Sequence, residues 1–283
     1  MINPEAADAI IRAALKEDVG TRDITSAILL PQSKHIKAEL EVKEDGVLCG
    51  IAFAERVFRM VDETLRFLPV AKDGEWVEAG REIAYIEGPG ASILTAERTA
   101  LNLLSHLSGI ATKTRAFVDK VKGTNAKILD TRKTTPTLRV LEKYAVVTGG
   151  GVNHRQGLFD QVLIKDNHLR ILREQSINDI VERVRKGTLK KTIVGIEVKN
   201  LMELAAALKA PVDYILLDNM PRKSIEEAVK MRTRMGVKIP LEVSGRVNID
   251  NVREYAETGI ERISIGALTH NAPALDISLD IVG

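Results

Sequence analysis

Hydrophobic positions near the start of the chain recur with the period of an α-helix. They lie three or four residues apart and fall on one face: Ala7, Ile10, Ile11, Ala14 and Leu15. An amphipathic helix is therefore predicted over residues 4–15, with Pro4 in its first turn. Residues 17–26, which contain Gly20 and several Asp and Thr, are predicted to form a loop.

The pattern then changes from helical to extended. Apolar and polar residues alternate strictly over residues 36–42, as in a half-buried strand. A short helix is predicted over residues 52–61, and turn signals at Asp73-Gly74 and Ala79-Gly80 divide a second set of strands. This part of the chain is predicted to be a mixed α+β unit.

A long helical pattern occupies residues 95–121. Its buried face is leucine-rich, and Thr95 suits the first cap because its side chain can accept a hydrogen bond from a free backbone N–H. Gly109 is expected to interrupt the pattern and to give two helices.

After residue 122 a strand followed by a helix recurs. Six aliphatic strands are predicted, at residues 127–131, 162–166, 193–198, 214–218, 240–244 and 262–266. Near-continuous aliphatic strands that alternate with helices indicate a parallel sheet covered by helices. Six strands are fewer than the eight of a complete barrel, and the glycine fingerprint of a dinucleotide-binding fold is missing. The predicted fold class is α/β: an incomplete α/β barrel of about six parallel strands preceded by an α+β domain.

Composition narrows the classes of function. The chain has 283 residues and a formal net charge of only +2, so composition predicts no nucleic-acid partner. Cys49 is the single cysteine, which fits a reducing compartment. The first residues lack a signal-peptide pattern, and no window reaches the roughly 18 apolar residues of a membrane span. A cytoplasmic location without membrane contact is expected.

Candidate chemistry gathers where the predicted strands end. Each apolar run ends in charged residues or glycine: Asp130 to Thr134, Lys165 to His168, Glu197 and Lys199, Asp218-Asn219, Ser244-Gly245-Arg246, and Gly266. The carboxyl ends of strands in α/β barrels converge on one site. Glu197 and Lys165 also lie within apolar strands, where a charge needs a partner or a ligand.

The signs of these charges indicate a polyanionic substrate. Five residues are expected to form a cationic cluster: Arg132, Lys133, Lys165, His154 and Arg155. Arginine pairs strongly and specifically with carboxylate and phosphate oxygens. The acids Glu197 and Asp218 are then candidates to bind hydroxyls, to hold Mg²⁺ or to stabilise developing positive charge. Ser244-Gly245 precedes a helix that is predicted to start near Asn248, and Gly266-Ala267 precedes a short turn. Glycine loops at such helix starts favour phosphate binding there.

Several motifs, in one order and over nearly the whole chain, carry a family resemblance. They include residues 96–102 (AERTALN), 130–136 (DTRKTTP), 149–155 (GGGVNHR), 164–168 (IKDNH), 217–219 (LDN), 242–245 (EVSG) and 264–266 (SIG). On these residues the chain resembles the quinolinate phosphoribosyltransferase family.

The resemblance implies a reaction and a domain plan. Quinolinate and 5-phosphoribosyl-1-pyrophosphate would give nicotinate mononucleotide, pyrophosphate and CO₂, with Mg²⁺, in NAD biosynthesis. The implied domains are an open-faced α/β sandwich over residues 1–108 and the barrel over residues 109–269, with residues 270–283 packing on the sandwich. A homodimer is implied, with Arg98 reaching into the partner's site, and a higher oligomer remains open.

The resemblance also implies the roles of the site residues. Glu197, Asp218, Lys133 and Lys165 would be catalytic, and Glu197 and Asp218 would hold Mg²⁺ directly or indirectly. The substrate-binding set is Arg98, Thr131, Arg132, Lys133, His154, Arg155, Lys165, Glu197, Asp218, Ser244, Gly245, Arg246, Ile265, Gly266 and Ala267.

Three alternatives remain open from the sequence. A nicotinate phosphoribosyltransferase would handle one carboxylate and release no CO₂. A Schiff-base aldolase would use Lys165 as the nucleophile on a strand. A non-catalytic barrel would bind phosphoribosyl pyrophosphate without converting it.

Overall fold

The computed structural model describes residues 4–31 and 33–282, which separate into two units. The first unit comprises the residues up to Arg115, Thr134–Gly150, and the residues from Leu268 onward. The second unit comprises Ala116–Lys133 and Gly151–Ala267. The chain therefore passes from the first unit to the second and back more than once.

The helices and strands of the described residues follow in chain order. The strands are β1 (His35–Val42), β2 (Gly46–Val47), β3 (Arg66–Pro69), β4 (Trp76–Val77), β5 (Glu82–Pro89), β6 (Lys127–Leu129), β7 (Val162–Ile164), β8 (Val194–Val198), β9 (Tyr214–Asp218), β10 (Leu241–Ser244), β11 (Arg262–Ser264) and β12 (Ile277–Val282). The helices are α1 (Pro4–Val19), α2 (Ile24–Leu29), α3 (Ile51–Val61), α4 (Gly90–Lys120), α5 (Arg139–Thr148), α6 (Asp166–Ile171), α7 (Ile177–Gly187), α8 (Leu201–Ala207), α9 (Arg222–Arg234), α10 (Val252–Ala256) and α11 (Ala267–His270).

The first unit is built on an antiparallel sheet with the strand order β12-β1-β5-β3. Strand β1 alternates as the sequence predicts, with Ala38, Leu40 and Val42 buried. The last strand, β12, pairs with β1 in the register Leu40↔Leu279. The chain terminus therefore belongs to this sheet, because β1 needs a hydrogen-bonding partner on that side.

Two local predictions for this unit were wrong. Residues 17–26 are not one loop, because α1 continues to Val19 and α2 begins at Ile24. The Asp23 side chain caps α2 by accepting the Ser26 N–H at 3.0 Å. The Asp and Thr residues that suggested a loop thus include the cap of a helix.

Gly109 does not divide the long helix, since α4 runs without a break from Gly90 to Lys120. A Cβ atom at Gly109 would collide with the carbonyl oxygen of Pro273. Glycine is therefore used here for close approach of another backbone segment and not as a helix end. The predicted domain boundary between residues 108 and 109 falls within this helix.

The second unit contains a six-stranded parallel sheet with the order β6-β11-β10-β9-β8-β7. The strands β6 and β7 follow one another in sequence but occupy the two edges of the sheet. A closed barrel has no edges, so this sheet is a barrel that is open between β6 and β7. The predicted fold class, an incomplete α/β barrel with an α+β unit, is confirmed.

Residues 134–150 depart from the predicted domain limits. They lie between β6 and β7 in sequence, yet they belong to the first unit, where α5 lies. Glu142 and Tyr144 on α5 contact His106 and Asp73, respectively, in that unit. These long-range bonds, which no local pattern reveals, are the reason for the departure.

No helix among the described residues combines the length and the apolar character that crossing a membrane requires.

Candidate active site

The carboxyl ends of the six parallel strands surround a cavity of about 330 Å³ in the second unit. Nine of the predicted site residues line it: Thr131, Arg132, Lys133, His154, Arg155, Lys165, Glu197, Asp218 and Ser244. These residues, which are up to 113 positions apart in sequence, thus meet in one space. Convergence of strand ends, which the sequence could only suggest, is what the parallel sheet produces.

The segment that carries His154 and Arg155 reaches the cavity along the open edge of the sheet. Val152 forms a parallel bridge with Leu129 at the end of β6, and its N–H donates to the Ile128 carbonyl at 2.8 Å. Asp130, which is fully buried, accepts the backbone N–H of His154 at 2.8 Å. Gly149, Gly150 and Gly151 therefore lead into a segment whose backbone is held by hydrogen bonds.

His154 has a defined hydrogen-bonding role. Its Nδ1 atom accepts the backbone N–H of Arg155 at 2.7 Å. A ring nitrogen that accepts this bond carries no proton, so the proton lies on Nε2. In this arrangement His154 orients the Arg155 backbone through Nδ1, and its place in the predicted cationic cluster stays a prediction.

Four other members of the predicted cationic cluster line the cavity: Arg132, Lys133, Arg155 and Lys165. Arg155 is 6% exposed, and burial together with the nearby Arg132 guanidinium lowers its pKa. Two guanidinium groups that are close enough to interact in a partly dry space repel each other, and an anion bound between them offsets this repulsion. The cluster is therefore suited to carboxylate or phosphate oxygens.

Glu197 is nearly buried at the end of β8, and its Oε2 lies 3.6 Å from the Lys165 Nζ. Burial raises the pKa of Glu197; the carboxylates of Asp218 and Asp166 raise it further, whereas Lys165 lowers it. The prediction that a charge within this apolar strand needs a partner is met by this loose contact and by a hydrogen bond from the Asp166 backbone. Room remains for a ligand that carries positive charge or hydroxyl groups.

Lys165 itself is half exposed and precedes α6. A Schiff-base lysine requires a desolvated pocket, which lowers the pKa of its ammonium group so that the neutral amine can act as nucleophile. The Lys165 side chain is 49% exposed and lies beside a carboxylate, so the geometry disfavours the aldolase alternative.

The ends of β9 and β10 interlock. Asn219 donates its N–H to the Ser244 carbonyl at 2.9 Å, and a Cβ atom at Gly245 would collide with the Asn219 side chain. Asn219, Gly245 and Arg246 all have positive φ angles, of 52°, 94° and 56°. Strained backbone of this kind often gathers at functional sites. It turns the chain sharply just after Asp218 and Ser244.

Five of the predicted substrate-binding residues follow strand residues that line the cavity but do not line it themselves: Gly245, Arg246, Ile265, Gly266 and Ala267. Ile265 is a core residue, 2% exposed, and its N–H donates to the Leu129 carbonyl. Ser264, one residue earlier, lines the wall instead. The helix expected near Asn248 begins at Val252, because residues 248–251 form a turn.

Arg98 lies on the part of α4 that belongs to the first unit. Its side chain is 62% exposed, and its contact with Glu97 is loose at 3.7 Å. It is not among the residues that line the cavity. Its role across a dimer stays a prediction.

Four lining residues were missing from the predicted site: Leu163, Leu216, Glu242 and Ser264. Glu242 had the same signal that identified Glu197, a lone acid within an apolar strand, and the same argument would have found it. The two leucines had no signal, because an apolar residue in an apolar strand looks like core. They form an apolar cluster with Tyr214 beside the polar groups.

Comparison with known proteins gives a consistent result. Family models described as the N-terminal and C-terminal domains of quinolinate phosphoribosyl transferase match residues 23–108 and 110–280, respectively. The nicotinate-nucleotide pyrophosphorylase [carboxylating] of Mycobacterium leprae is 41% identical over 282 residues, which cover 98% of each chain. The quinolinate phosphoribosyltransferase [decarboxylating] 1b of Nicotiana tabacum is 38% identical, with coverage of 96% of this chain and 81% of the relative. The solved structure of the nicotinate-nucleotide pyrophosphorylase from Francisella tularensis superposes with a TM-score of 0.92 at 37% identity, covering 100% of this chain and 98% of that one.

Proposed function

The chain belongs to the quinolinate phosphoribosyl transferase family, and from this premise we propose that it transfers the phosphoribosyl group of 5-phosphoribosyl-1-pyrophosphate to quinolinate. The products are nicotinate mononucleotide, pyrophosphate and CO₂. The observation that carries the proposal is one cavity lined by four cations, Arg132, Lys133, Arg155 and Lys165, together with two acids, Glu197 and Asp218. Both substrates are polyanions, and the reaction develops positive charge between them.

The cationic residues of the cavity support binding of a dicarboxylate. Arg132 and Arg155 offer forked donors that fit carboxylate oxygens, and Lys133 and Lys165 add point charges. Ser244 and Ser264, on paired strands, offer hydroxyl groups to the phosphoribosyl end. Binding both anions in fixed positions brings the pyridine nitrogen to the anomeric carbon, which lowers the entropic cost of the encounter.

The two acids of the cavity support stabilisation of the transition state. The pyridine nitrogen forms a bond to the anomeric carbon as the bond to pyrophosphate breaks, and positive charge builds on the ribose. Glu197 and Asp218 stabilise that charge, and the partial dehydration of Glu197 strengthens its effect. Once the ring nitrogen is quaternised, its positive charge stabilises the electron pair that departing CO₂ leaves on the adjacent ring carbon, and that carbon then takes up a proton from water.

The donor set fits Mg²⁺ only if the substrate supplies further ligands. Within residues 4–31 and 33–282, no three His, Cys, Asp or Glu side chains are grouped to hold a metal. Magnesium is commonly held by one or two carboxylates together with substrate phosphates. Glu197 and Asp218 would be those carboxylates, and the ion would neutralise the pyrophosphate as it leaves.

The test of the reaction is release of CO₂ from carboxyl-labelled quinolinate in the presence of phosphoribosyl pyrophosphate and Mg²⁺. We expect one CO₂ for each nicotinate mononucleotide. Conversion of nicotinate without conversion of quinolinate would instead support the sibling transferase. Binding of phosphoribosyl pyrophosphate without any product would support the non-catalytic barrel.

Arg155→Ala tests the dicarboxylate side of the site. Loss of a charged donor from a partly buried site should raise the KM of quinolinate by about 10–100-fold. Arg253→Ala is the matched control, because Arg253 makes a surface pair with Glu257 and should leave the KM unchanged. An unchanged KM in Arg155→Ala would remove Arg155 from the site.

We further propose that the enzyme works in the cytoplasm as a homodimer in which Arg98 completes the partner's cavity. The exposure of Arg98 on α4 supports this role. Mixing Arg98→Ala subunits with Glu197→Gln subunits tests it. If half of the dimers are mixed and each has one intact site, about a quarter of wild-type activity should return. No recovery, with exchange of subunits demonstrated, would contradict the shared site.

A further inference from the structure

Four polar side chains meet inside the barrel, three of them from strands β9, β10 and β11 and one from the segment before β7. We call His154, Tyr214, Glu242 and Arg262 the buried tetrad. Glu242, Tyr214 and His154 are 0%, 2% and 7% exposed, respectively. Of the four, His154 and Glu242 also line the cavity, so the tetrad adjoins the proposed substrate site.

The register of the sheet brings the tetrad together. Glu242 on β10 and Arg262 on β11 are direct neighbours across the parallel pair. Tyr214 on β9 is opposite Gly195 on β8, and a Cβ atom at Gly195 would collide with the Tyr214 ring. The absence of a side chain at Gly195 therefore gives the ring the space that it occupies.

Glu242 links the tetrad electrostatically. Its Oε2 accepts the Arg262 Nε–H at 2.7 Å, and the Arg262 guanidinium lies over the Tyr214 ring, 4.6 Å from its centroid. Burial alone would raise the pKa of Glu242, but contacts with His154 and Arg262 outweigh burial and hold it below the ordinary value. Glu242 is thus an ionised acceptor inside the barrel.

The imidazole of His154 is the point at which the tetrad meets the cavity. Its Nε2 lies 3.2 Å from the Oε1 of Glu242 and 3.3 Å from the Tyr214 hydroxyl. That Oε1 atom is buried and makes no hydrogen bond of good geometry among the described residues. A buried oxygen without a hydrogen bond raises the free energy of the folded state. Hydrogen bonds in active sites often reach good geometry only when the substrate binds.

We propose that Glu242, Tyr214 and Arg262 are positioning residues that act through His154, and that they hold Arg155 ready for the dicarboxylate. The proposal rests on the proposed function. Glu242 faces the Nε2 proton, which leaves Nδ1 free to accept the Arg155 N–H. Without this arrangement the buried Arg155 loses a backbone anchor and can move away from Arg132, which repels it.

Kinetics of Glu242→Gln test the proposal, because the substitution keeps the shape and removes the charge. We expect the KM of quinolinate to rise about tenfold or more, while the KM of phosphoribosyl pyrophosphate and kcat change less than threefold. Tyr214→Phe should move the KM of quinolinate in the same direction by a smaller factor. Glu261→Gln is the matched control, since Glu261 pairs with Arg232 in the same unit outside the cavity lining, and it should change neither constant.

A double-mutant cycle separates positioning from a purely structural role. If Glu242 acts through His154, then Glu242→Gln should have no further effect on the KM of quinolinate in a His154→Ala background. The same factor in both backgrounds would overturn the proposal. So would an equal rise in both substrate KM values.

The ring tautomer of His154 gives a readout that needs no turnover. The chain has five histidines, and nitrogen NMR with the His154→Ala variant assigns this one. We expect a proton on Nε2 in the wild type and a mixture of tautomers in Glu242→Gln. An Nδ1 proton in the wild type, or an unchanged tautomer in both Glu242→Gln and Tyr214→Phe, would overturn the proposal.

If Glu242→Gln does not fold, then the tautomer in Tyr214→Phe alone decides the proposal. If quinolinate is not converted by the wild type, the proposed function fails while this measurement still reports on the tetrad.

Discussion

Buried acids have different surroundings in the two units. In the first unit both carboxylate oxygens of Glu142 are satisfied, by His106 at 2.9 Å and by the Thr135 N–H at 3.1 Å. In the second unit the cationic partner of Glu197 among the described residues is Lys165, at a loose 3.6 Å, beside a hydrogen bond from the Asp166 backbone. One oxygen of Glu242 makes no hydrogen bond of good geometry among the described residues. All three side chains are nearly or fully buried.

The difference separates structural acids from those prepared for a ligand. A buried carboxylate that is fully paired contributes to stability, because its hydrogen bonds replace those lost from water. One that is incompletely paired keeps a desolvation cost, which a substrate or metal ion can offset. Substitutions in the two units should therefore affect different measurements.

The largest effect should follow Glu197→Gln. We expect kcat to fall by about 10²–10³-fold, the range found when one stabilising group is removed from a charged transition state. Glu226→Gln, which changes an exposed acid paired with Arg222 in the same unit, serves as the control and should retain full activity. A kcat within fivefold of wild type would show that Glu197 is not part of the charge-stabilising site.

The next effect should follow Glu142→Gln in the first unit. The amide nitrogen cannot accept a hydrogen bond, so one buried contact is lost, and the free energy of unfolding should fall by about 1–3 kcal/mol. Denaturant unfolding, compared with Glu226→Gln, measures this change. The proposed difference between the two units would be contradicted if kcat of the folded Glu142→Gln variant fell as strongly as in Glu197→Gln.

The smallest effect is a pH dependence of stability. Because burial raises the pKa of Glu197, the folded state binds its proton more tightly than the unfolded chain does. This contribution to stability is fully present below the ordinary pKa of 4.5 and is lost as pH rises through the raised value. Glu197→Gln should therefore match or exceed wild-type stability at neutral pH, with the difference vanishing in acid. If Glu197→Gln were less stable than wild type at pH 7, the claim that burial of the ionised Glu197 carboxylate costs stability would be contradicted.

Much of the fold was accessible from the sequence alone. The period of apolar residues located α1, β1 and α3 to within a few residues, and six aliphatic runs correctly predicted six parallel strands. These features are local, because burial of one face fixes the spacing of apolar positions. The charged strand ends likewise identified most of the cavity, since parallel strands present their carboxyl ends together.

Only the tertiary structure decided the rest. Gly109 looked like a helix end until the approach of Pro273 was visible. The assignment of α5 to the first unit and the contact of Glu242 with Arg262 depend on pairings between residues far apart in sequence or on neighbouring strands. Within the sheet, a one-residue shift in the register of β10 would turn Glu242 to the other face, away from Arg262. The sequence by itself determined which residues carry the chemistry, whereas packing and register determined which of them meet, because hydrophobic period is a local property and contact is not.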